Sequence, residues 1–176
     1  MNELYLKEPT LDDKDAVQGF VDEFMENCMQ LHGSDGMDKE VTYEQWLEKI
    51  KTDEARVFTD YDQTEMVPCV TLLCYKKNDG ILVGCVNIRK HLSKSLDEKF
   101  AGTIGWSIRP SLQRKGYGKQ MGLLCLDYCK ALGMNRVRVG CRAKNHGSRK
   151  IIEFLGGKKI AENNAMAKEI YYEVTI

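Results

Sequence analysis

The stretch SIRPSLQRKGYGKQMG, residues 107–122, constrains the fold more than any other, because a strand-like run turns into a helix-like one across it. Pro110, the cations Arg114 and Lys115, and the glycines Gly116, Gly118 and Gly122 stand at that junction. A helix N-terminus leaves backbone N–H groups without partners and carries about half a positive charge. Glycines at such a point let a phosphate approach the backbone closely, and neighbouring cations add attraction. The blander reading is a glycine-rich turn with solvated cations. On the anion reading, the space that Gly118 leaves open belongs to the ligand, so valine there should spare the fold and abolish binding. Two other phosphate loops do not apply. No Gly-Lys-Ser/Thr ending is present for a Walker loop, and only two glycines align with a dinucleotide-binding fingerprint.

The flanking residues alternate between strand and helix patterns. ELYLKEP places Leu4 and Leu6 on one face and predicts a first strand. Thr10 is the expected N-cap of a helix that begins with LDDKDAV, and Val17, Phe20, Val21, Phe24, Met25 and Cys28 follow at helical spacing. HGSDG breaks that helix. Thr42, with Gln45 three residues on, caps a second helix, TYEQWLEKI. VPCVTLLCY and ILVGCVNIR predict two strands joined by a hairpin at Asp79-Gly80. HLSKSLDEKFAG reads as a polar loop with a helical turn, and TIGWSIR as a strand stopped by Pro110. Met121, Leu124, Cys125, Tyr128 and Leu132 mark a helix from Lys119 to Leu132 that Gly133 ends. NRVRVGC alternates strictly. Asn145 caps a helix with Ser148, Ile151, Ile152 and Leu155 inward, and KKIAE and EIYYEVTI close the chain as strands. The order β-α-α-β-β-β-α-β-α-β-β over residues 1–176 predicts a single mixed α/β domain with helices on both faces of one sheet.

Charge sets limits on partners. Lys plus Arg number 26 and Asp plus Glu 26, so the chain has no global pull toward nucleic acid or anionic lipid, and any anion site is local. The 7 cysteines are scattered, mostly in apolar runs, with no paired spacing of a zinc knuckle, so buried thiols and no metal are expected. The first residues, MNELYLKEP, lack a basic-then-apolar leader, and no apolar run reaches membrane-spanning length, so a cytoplasmic protein is expected. For the basic group Arg136, Arg138, Arg142, Lys144, Arg149 and Lys150, a solvated edge, a phosphate contact and a nucleic-acid contact stay open, although interleaved stacking aromatics are missing. His32 reads as a surface residue.

QRKGYG, residues 113–118, matches the Gln/Arg-x-x-Gly-x-Gly/Ala signature of the GNAT family of N-acetyltransferases, and its setting IGWSIRPSLQRKGYG resembles the fuller family pattern. Downstream, NHGSRKIIEFLGG resembles the family's Asn-x-x-Ser/Ala helix, so the chain resembles the family along nearly its whole length, and its small-molecule branch most. The resemblance implies a splayed central sheet in which the TIGWSIR and RVRVGC strands part around the pantetheine arm of acetyl-CoA. Backbone groups of Trp106, Ser107 and Ile108 would pair with that arm. Amides from Arg114 through Lys115, Gly116, Tyr117 and Gly118 to Lys119, after Gln113, would hold the pyrophosphate, and Asn145 the pantetheine end.

The implied reaction is attack of a primary amine, of a small molecule or peptide, on the thioester. Many family members carry a Tyr acid seven residues beyond the Asn, but that position here is Ile152, which has no proton to give. Ser148, Tyr171 and Tyr172 are the substitutes, His91 has a claim as base, and water can serve both roles. A non-catalytic acyl-CoA-binding or sensory module is the alternative. Tyr43 and Trp46 read as packing residues or as the lining of an acceptor pocket, since the segment between the first two helices covers that pocket in the family. The apolar strand IYYEVTI is suited to a homodimer.

Overall fold

The computed structural model describes residues 3–39, 42–53, 58–59, 65–98, 101–163 and 168–176. In chain order its elements are β1 (Leu4–Lys7), α1 (Lys14–Glu26), α2 (Tyr43–Asp53), β2 (Phe58–Thr59), β3 (Glu65–Met66), β4 (Cys69–Lys76) and β5 (Leu82–Arg89). Then come α3 (Lys94–Glu98), β6 (Ile104–Ile108), α4 (Tyr117–Ala131), β7 (Arg136–Arg142), α5 (His146–Phe154), β8 (Lys158–Glu162) and β9 (Glu169–Thr175). The short β2–β3 pair is an addition to the expected order, and α3 is the expected helical turn. Part of the segment before β4, residues 54–57 and 60–64, lies outside the described residues.

Besides the β2–β3 pair, two larger antiparallel sheets form among the described residues, in the orders β1–β4–β5–β6 and β7–β9–β8. One apolar cluster runs beneath both of them. Leu72, Ile88 and Ile104 come from the first sheet, Val137, Val139 and Tyr172 from the second, and Met121, Ile152 and Leu155 from α4 and α5. A second cluster covers the opposite face of the first sheet, where Val17, Phe20 and Phe24 of α1 and Trp46, Leu47 and Ile50 of α2 meet Leu73 and Cys85. Fully burying each such side chain is worth about 1.5–3 kcal/mol. The helices therefore cover both faces, as the spacing of their apolar residues requires.

The expected caps form with one change. Thr42 and Gln45 make the reciprocal pair, Thr42 N–H to Gln45 Oε1 at 2.9 Å and Gln45 N–H to Thr42 Oγ1 at 3.2 Å. At the first helix a 3-10 turn, Leu11–Asp13, precedes α1, and the acid reaches back instead. Asp13 Oδ2 accepts from the Thr10 N–H at 2.7 Å and the Thr10 hydroxyl at 2.9 Å. Its Oδ1 accepts from the Tyr75 hydroxyl at 2.7 Å and Lys7 Nζ at 2.9 Å. One buried carboxylate thus joins β1, the start of α1 and β4.

The final strand corrects one expectation. β9 pairs with β7 on one side and β8 on the other, and Ile170, Tyr172 and Val174 are buried in the core. Neither its edges nor that face is available to a second copy. The open edge of that sheet is β8, which carries Lys158 and Lys159, as exposed edges commonly do.

Asp13→Ala is expected to cost roughly 3 kcal/mol in urea unfolding at neutral pH, since a buried, multiply bonded carboxylate is lost. Burial pushes the Asp13 carboxyl up, but Lys7, Tyr75 and Thr10 outweigh it and hold it below its ordinary value. Its contribution is therefore complete above the unfolded value of about 3.9 and is lost as pH falls through the lower folded value. The stability gap between the natural protein and Asp13→Asn should narrow as unfolding is repeated below about pH 4.

Candidate functional site

The glycine-rich junction links the end of β6 to the start of α4. Arg114 and Gly116 both take left-handed backbone angles, φ +61° and +87°. For Gly116 that conformation costs little, and for Arg114 it is uncommon. Among the described residues, the amides of Arg114, Lys115, Gly116, Tyr117 and Gly118 have no acceptor within the protein. Lys119 differs from the expectation, because its N–H closes on Gly116 O at 3.2 Å. Gln113 Nε2 donates to Ile108 O at 3.1 Å and fastens the turn to the strand it leaves. Arg114, Lys115 and Lys119 are exposed. The arrangement is a nest of N–H donors at a helix start with exposed cations around it.

Gly118 serves another purpose than the one its spacing suggested. A Cβ there would lie 2.5 Å from Ile151 Cδ1, and one at Gly122 would lie 2.7 Å from Leu155 Cδ1. Both glycines let α4 pack closely on α5. The vacancy at Gly118 faces this helix contact, so valine there would disturb packing as well as any ligand. At Gly116 no atom lies within 4 Å of an added Cβ.

β6 is joined to β7 at one end only. Thr103 N–H donates to Arg138 O at 2.6 Å, and the Thr103 hydroxyl accepts from Arg138 N–H at 3.0 Å. Beyond that point no hydrogen bond links the two strands among the described residues. Arg89 N–H donates to Thr103 O at 2.9 Å and Arg109 N–H to Val83 O at 2.8 Å. Bonded and non-bonded pairs alternate along an antiparallel ladder, so Gly105 and Ser107 turn their backbone groups toward β5. Ile104, Trp106 and Ile108 turn theirs toward the opening. Trp106 and Ile108 are thus where a strand-like ligand would find partners. Ser107 is not, because its backbone is committed to β5.

The Ser107 side chain has a different role. Its Oγ accepts from His32 N–H at 2.8 Å, and the His32 carbonyl accepts from Cys85 Sγ at 3.7 Å. The connection between α1 and α2 therefore crosses β6. Gly33, φ +66°, lies so close that a Cβ would stand 2.2 Å from Gly105 O and 2.6 Å from Trp106 N. Trp46 is buried and its Nε1 donates to Ser34 O at 3.0 Å, so it pins this loop from below. With Tyr43 it also lines a cavity of only about 90 Å³. Sequence reading missed the crossing. A glycine inside a strand marks a close backbone approach, and Gly105 was the available signal.

The candidate proton carriers separate. Asn145 caps α5, its Oδ1 accepting from Ser148 N–H at 3.0 Å, and it is exposed beside the parted strand ends. The Ser148 hydroxyl lies near the Cys141 thiol and opposes the upward push that burial gives it. Ile152 is fully buried. The Tyr171 hydroxyl donates to Glu169 Oε2 at 2.6 Å and accepts from Asn163 Nδ2 at 3.2 Å. Burial, then Glu169, pushes its pKa up to about 12. A thiolate of ordinary pKa about 8.5 would draw a proton from it only uphill. The Tyr172 hydroxyl accepts from Arg149 Nε at 3.3 Å. His91 lies elsewhere, in a cavity of about 680 Å³ at the closed end of the two strands with Lys90, Lys94, Thr103 and Arg138. No residue of the glycine turn or of the parted ends lines that cavity.

Most of the basic edge has local partners. Arg136 pairs with Glu173, Arg138 with Asp97, Arg149 with Glu153, and Arg142 with the Gln30 side chain. Among the described residues no group of three or more His, Cys, Asp or Glu is placed to hold a metal, and no helix is long and apolar enough to cross a membrane.

The sequence profile of the acetyltransferase (GNAT) domain matches residues 3–158. A search among curated proteins finds no significant sequence match. Solved structures with the same fold include Mycobacterium smegmatis RimJ in complex with CoA-disulfide, 15% identical with a TM-score of 0.70, over 98% of this chain and 81% of that one. The microcin C7 self-immunity acetyltransferase MccE, in complex with acetyl-CoA and AMP, is 15% identical with a TM-score of 0.69, over 100% of this chain and 94% of that one. The ribosomal-protein-S5-alanine acetyltransferase of Vibrio fischeri is 17% identical with a TM-score of 0.66, over 99% and 94%. At these identities the likeness is one of fold.

Gly33→Ala is expected to push the loop off β6, because the clash is with backbone and the angle is left-handed. The cost should be roughly 2–4 kcal/mol in urea unfolding. Limited proteolysis should then cut between α1 and α2 faster than in the natural protein.

Proposed function

Because the chain belongs to the GNAT acetyltransferase family, we propose that it is an acetyl-CoA-dependent N-acetyltransferase whose acceptor is a primary amine of a small molecule or peptide. One observation carries this reading, the run of amides from Arg114 to Gly118 that have no acceptor in the protein and stand at the start of α4. They fit a pyrophosphate, which supplies many acceptor oxygens and the negative charge that a helix N-terminus favours. Arg114 and Lys115 would add charge. The outward backbone groups of Trp106 and the N–H of Ile108 would pair with the pantetheine arm, and Asn145 would meet its far end. The coenzyme A compounds held by two of the structural neighbours support this choice of cofactor.

Bound acetyl-CoA supplies a thioester carbonyl open to attack. The chain then has three tasks. Trp106 N–H, facing the opening, would polarise that carbonyl. The walls of the cleft would hold the neutral amine against it, so that the new C–N bond forms as the C–S bond breaks. A group on the acceptor side would take the amine's proton. No acid is needed for the sulfur, since a thiolate of pKa about 8.5 is a tolerable leaving group.

The burial of Ile152 at the expected acid position favours a second reading, an acyl-CoA-binding module without turnover. Release of free thiol from acetyl-CoA in the presence of a primary amine separates the two. Turnover supports the enzyme, and tight binding without turnover supports the module.

Acetyl-CoA at about a hundred times its dissociation constant should add about 2.7 kcal/mol of apparent stability, which is roughly 5–10 °C in Tm. No shift, with protein shown to be free of copurified cofactor, would remove the family's cofactor from this chain. Asn145→Ala should cost about 1 kcal/mol as a lost helix cap. Calorimetry on that variant should also show weaker acetyl-CoA binding while circular dichroism stays unchanged. Equal affinity would leave Asn145 as a cap alone.

A further inference from the structure

On the reading that this cleft transfers acetyl groups, we propose that His32 is the general base that takes the proton of the attacking amine. The loop carrying it is fixed at several points. His32 N–H is bonded to Ser107 Oγ of β6, its carbonyl to Cys85 Sγ of β5, and Gly33 rests on the peptide between Gly105 and Trp106. That peptide carries the Trp106 N–H, which the ladder turns toward the opening. His32 is therefore the residue next to the one that rests on the donor best placed to polarise a thioester. Its imidazole is exposed and lies within electrostatic reach of Arg142 on β7, of Glu169 on β9 and of Asp38 on its own loop.

The charges around the ring suit the task. Partial burial and then Arg142 favour the neutral, basic form of the imidazole, against the opposing pull of Asp38 and Glu169. Its pKa falls below the ordinary value of 6.5, so the ring is unprotonated at neutral pH. The two carboxylates remain to attract a cationic amine. The other histidines belong to other elements, His91 to the closed end of the strands and His146 to the first turn of α5. In the step itself the amine lone pair bonds the acyl carbon and the C–S electron pair leaves with sulfur. The N–H proton passes to the free imidazole nitrogen. The products are an amide, coenzyme A thiolate and an imidazolium that sheds its proton to water.

The side chain makes none of the bonds that fix the loop, so His32→Ala and His32→Gln should fold, which circular dichroism checks. Calorimetry should give both variants the natural affinity for acetyl-CoA. Thiol release is then followed from pH 5 to 9 with glycinamide as the probe amine. The variants should lose about a hundredfold in kcat with little change in the KM for acetyl-CoA. The natural protein should lose activity as pH falls through the imidazole's pKa, and this acid limb should be absent in both variants. Added imidazole should restore part of the rate of His32→Ala. Variants within twofold of the natural rate, or with the same acid limb, would overturn the assignment while leaving the acetyltransferase reading intact. A natural protein that binds no acetyl-CoA, or binds it and releases no thiol to glycinamide or water, would remove that reading and the base with it.

Discussion

The site depends on β6 having a strand neighbour at one end and none at the other. Thr103 is tied to Arg138 through both its backbone and its hydroxyl, and the two strands then part. A free strand edge is ordinarily a liability, because its N–H and C=O groups seek partners. Here the free edge is short, and one of its acceptors, Ile108 O, is already satisfied by Gln113. Beneath the parted ends, Ile108 and Ile151 meet at the start of α4, where Gly118 leaves room for them. That apolar wedge and the unpaired edge belong together, since side chains fill the space in which a ladder would otherwise continue.

The glycine turn is held by residues far away in sequence. Arg109 Nε donates to Leu82 O at 2.8 Å, and its guanidinium pairs with Glu23 of α1 at 3.0 Å. Glu23 also accepts from the Ser111 N–H. Burial raises the Glu23 carboxyl, but the bonds from Ser111 and Arg109 outweigh it, and the net direction is down. A carboxylate so committed neutralises Arg109 and leaves Arg114 and Lys115 as the cations of the turn. In a chain of zero net charge, the positive potential at this turn is thus made by local pairing and not by composition.

Most of the architecture could be read from the sequence because its signals were local. The Thr42–Gln45 pair, the αL glycines after α4 and α5, the Asp79-Gly80 hairpin and the Asn145 cap each depend on residues a few positions apart. The glycine turn was legible for the same reason, since helix start, glycines and cations are contiguous. What escaped was non-local. The direction in which Gly118 is empty depends on α5, about thirty residues on. The commitment of Ser107 to β5 depends on ladder parity. The seat of His32 depends on Gly33 meeting Gly105, which are brought together only by the fold. The last strand, IYYEVTI, was read as suited to a dimer from its apolar residues, yet β9 lies inside its sheet.

On the proposed transfer of an acetyl group to an amine, the burial of Ile152 is chemically less costly than the loss of a base would be. The leaving thiol has a pKa of about 8.5, so its anion departs without much help near neutral pH. The attacking amine is in the opposite position. A lysine-like amine with a pKa of about 10.4 arrives almost wholly protonated, and even an α-amine near 8 is largely so. The ammonium first loses one proton to solvent, and the neutral amine loses a second as the C–N bond forms, which is the proton a base on the loop can take. The molecule is arranged accordingly. Ile151 and Ile152 of α5 belong to the apolar core, while His32 lies within electrostatic reach of Asp38 and Glu169. A tyrosine acid on α5 and a base on the loop answer different demands, and only the second demand grows with the basicity of the acceptor. On the proposed reaction, a chain without that acid should depend chiefly on its loop, which here is bonded to β6 through His32 N–H and Ser107 Oγ.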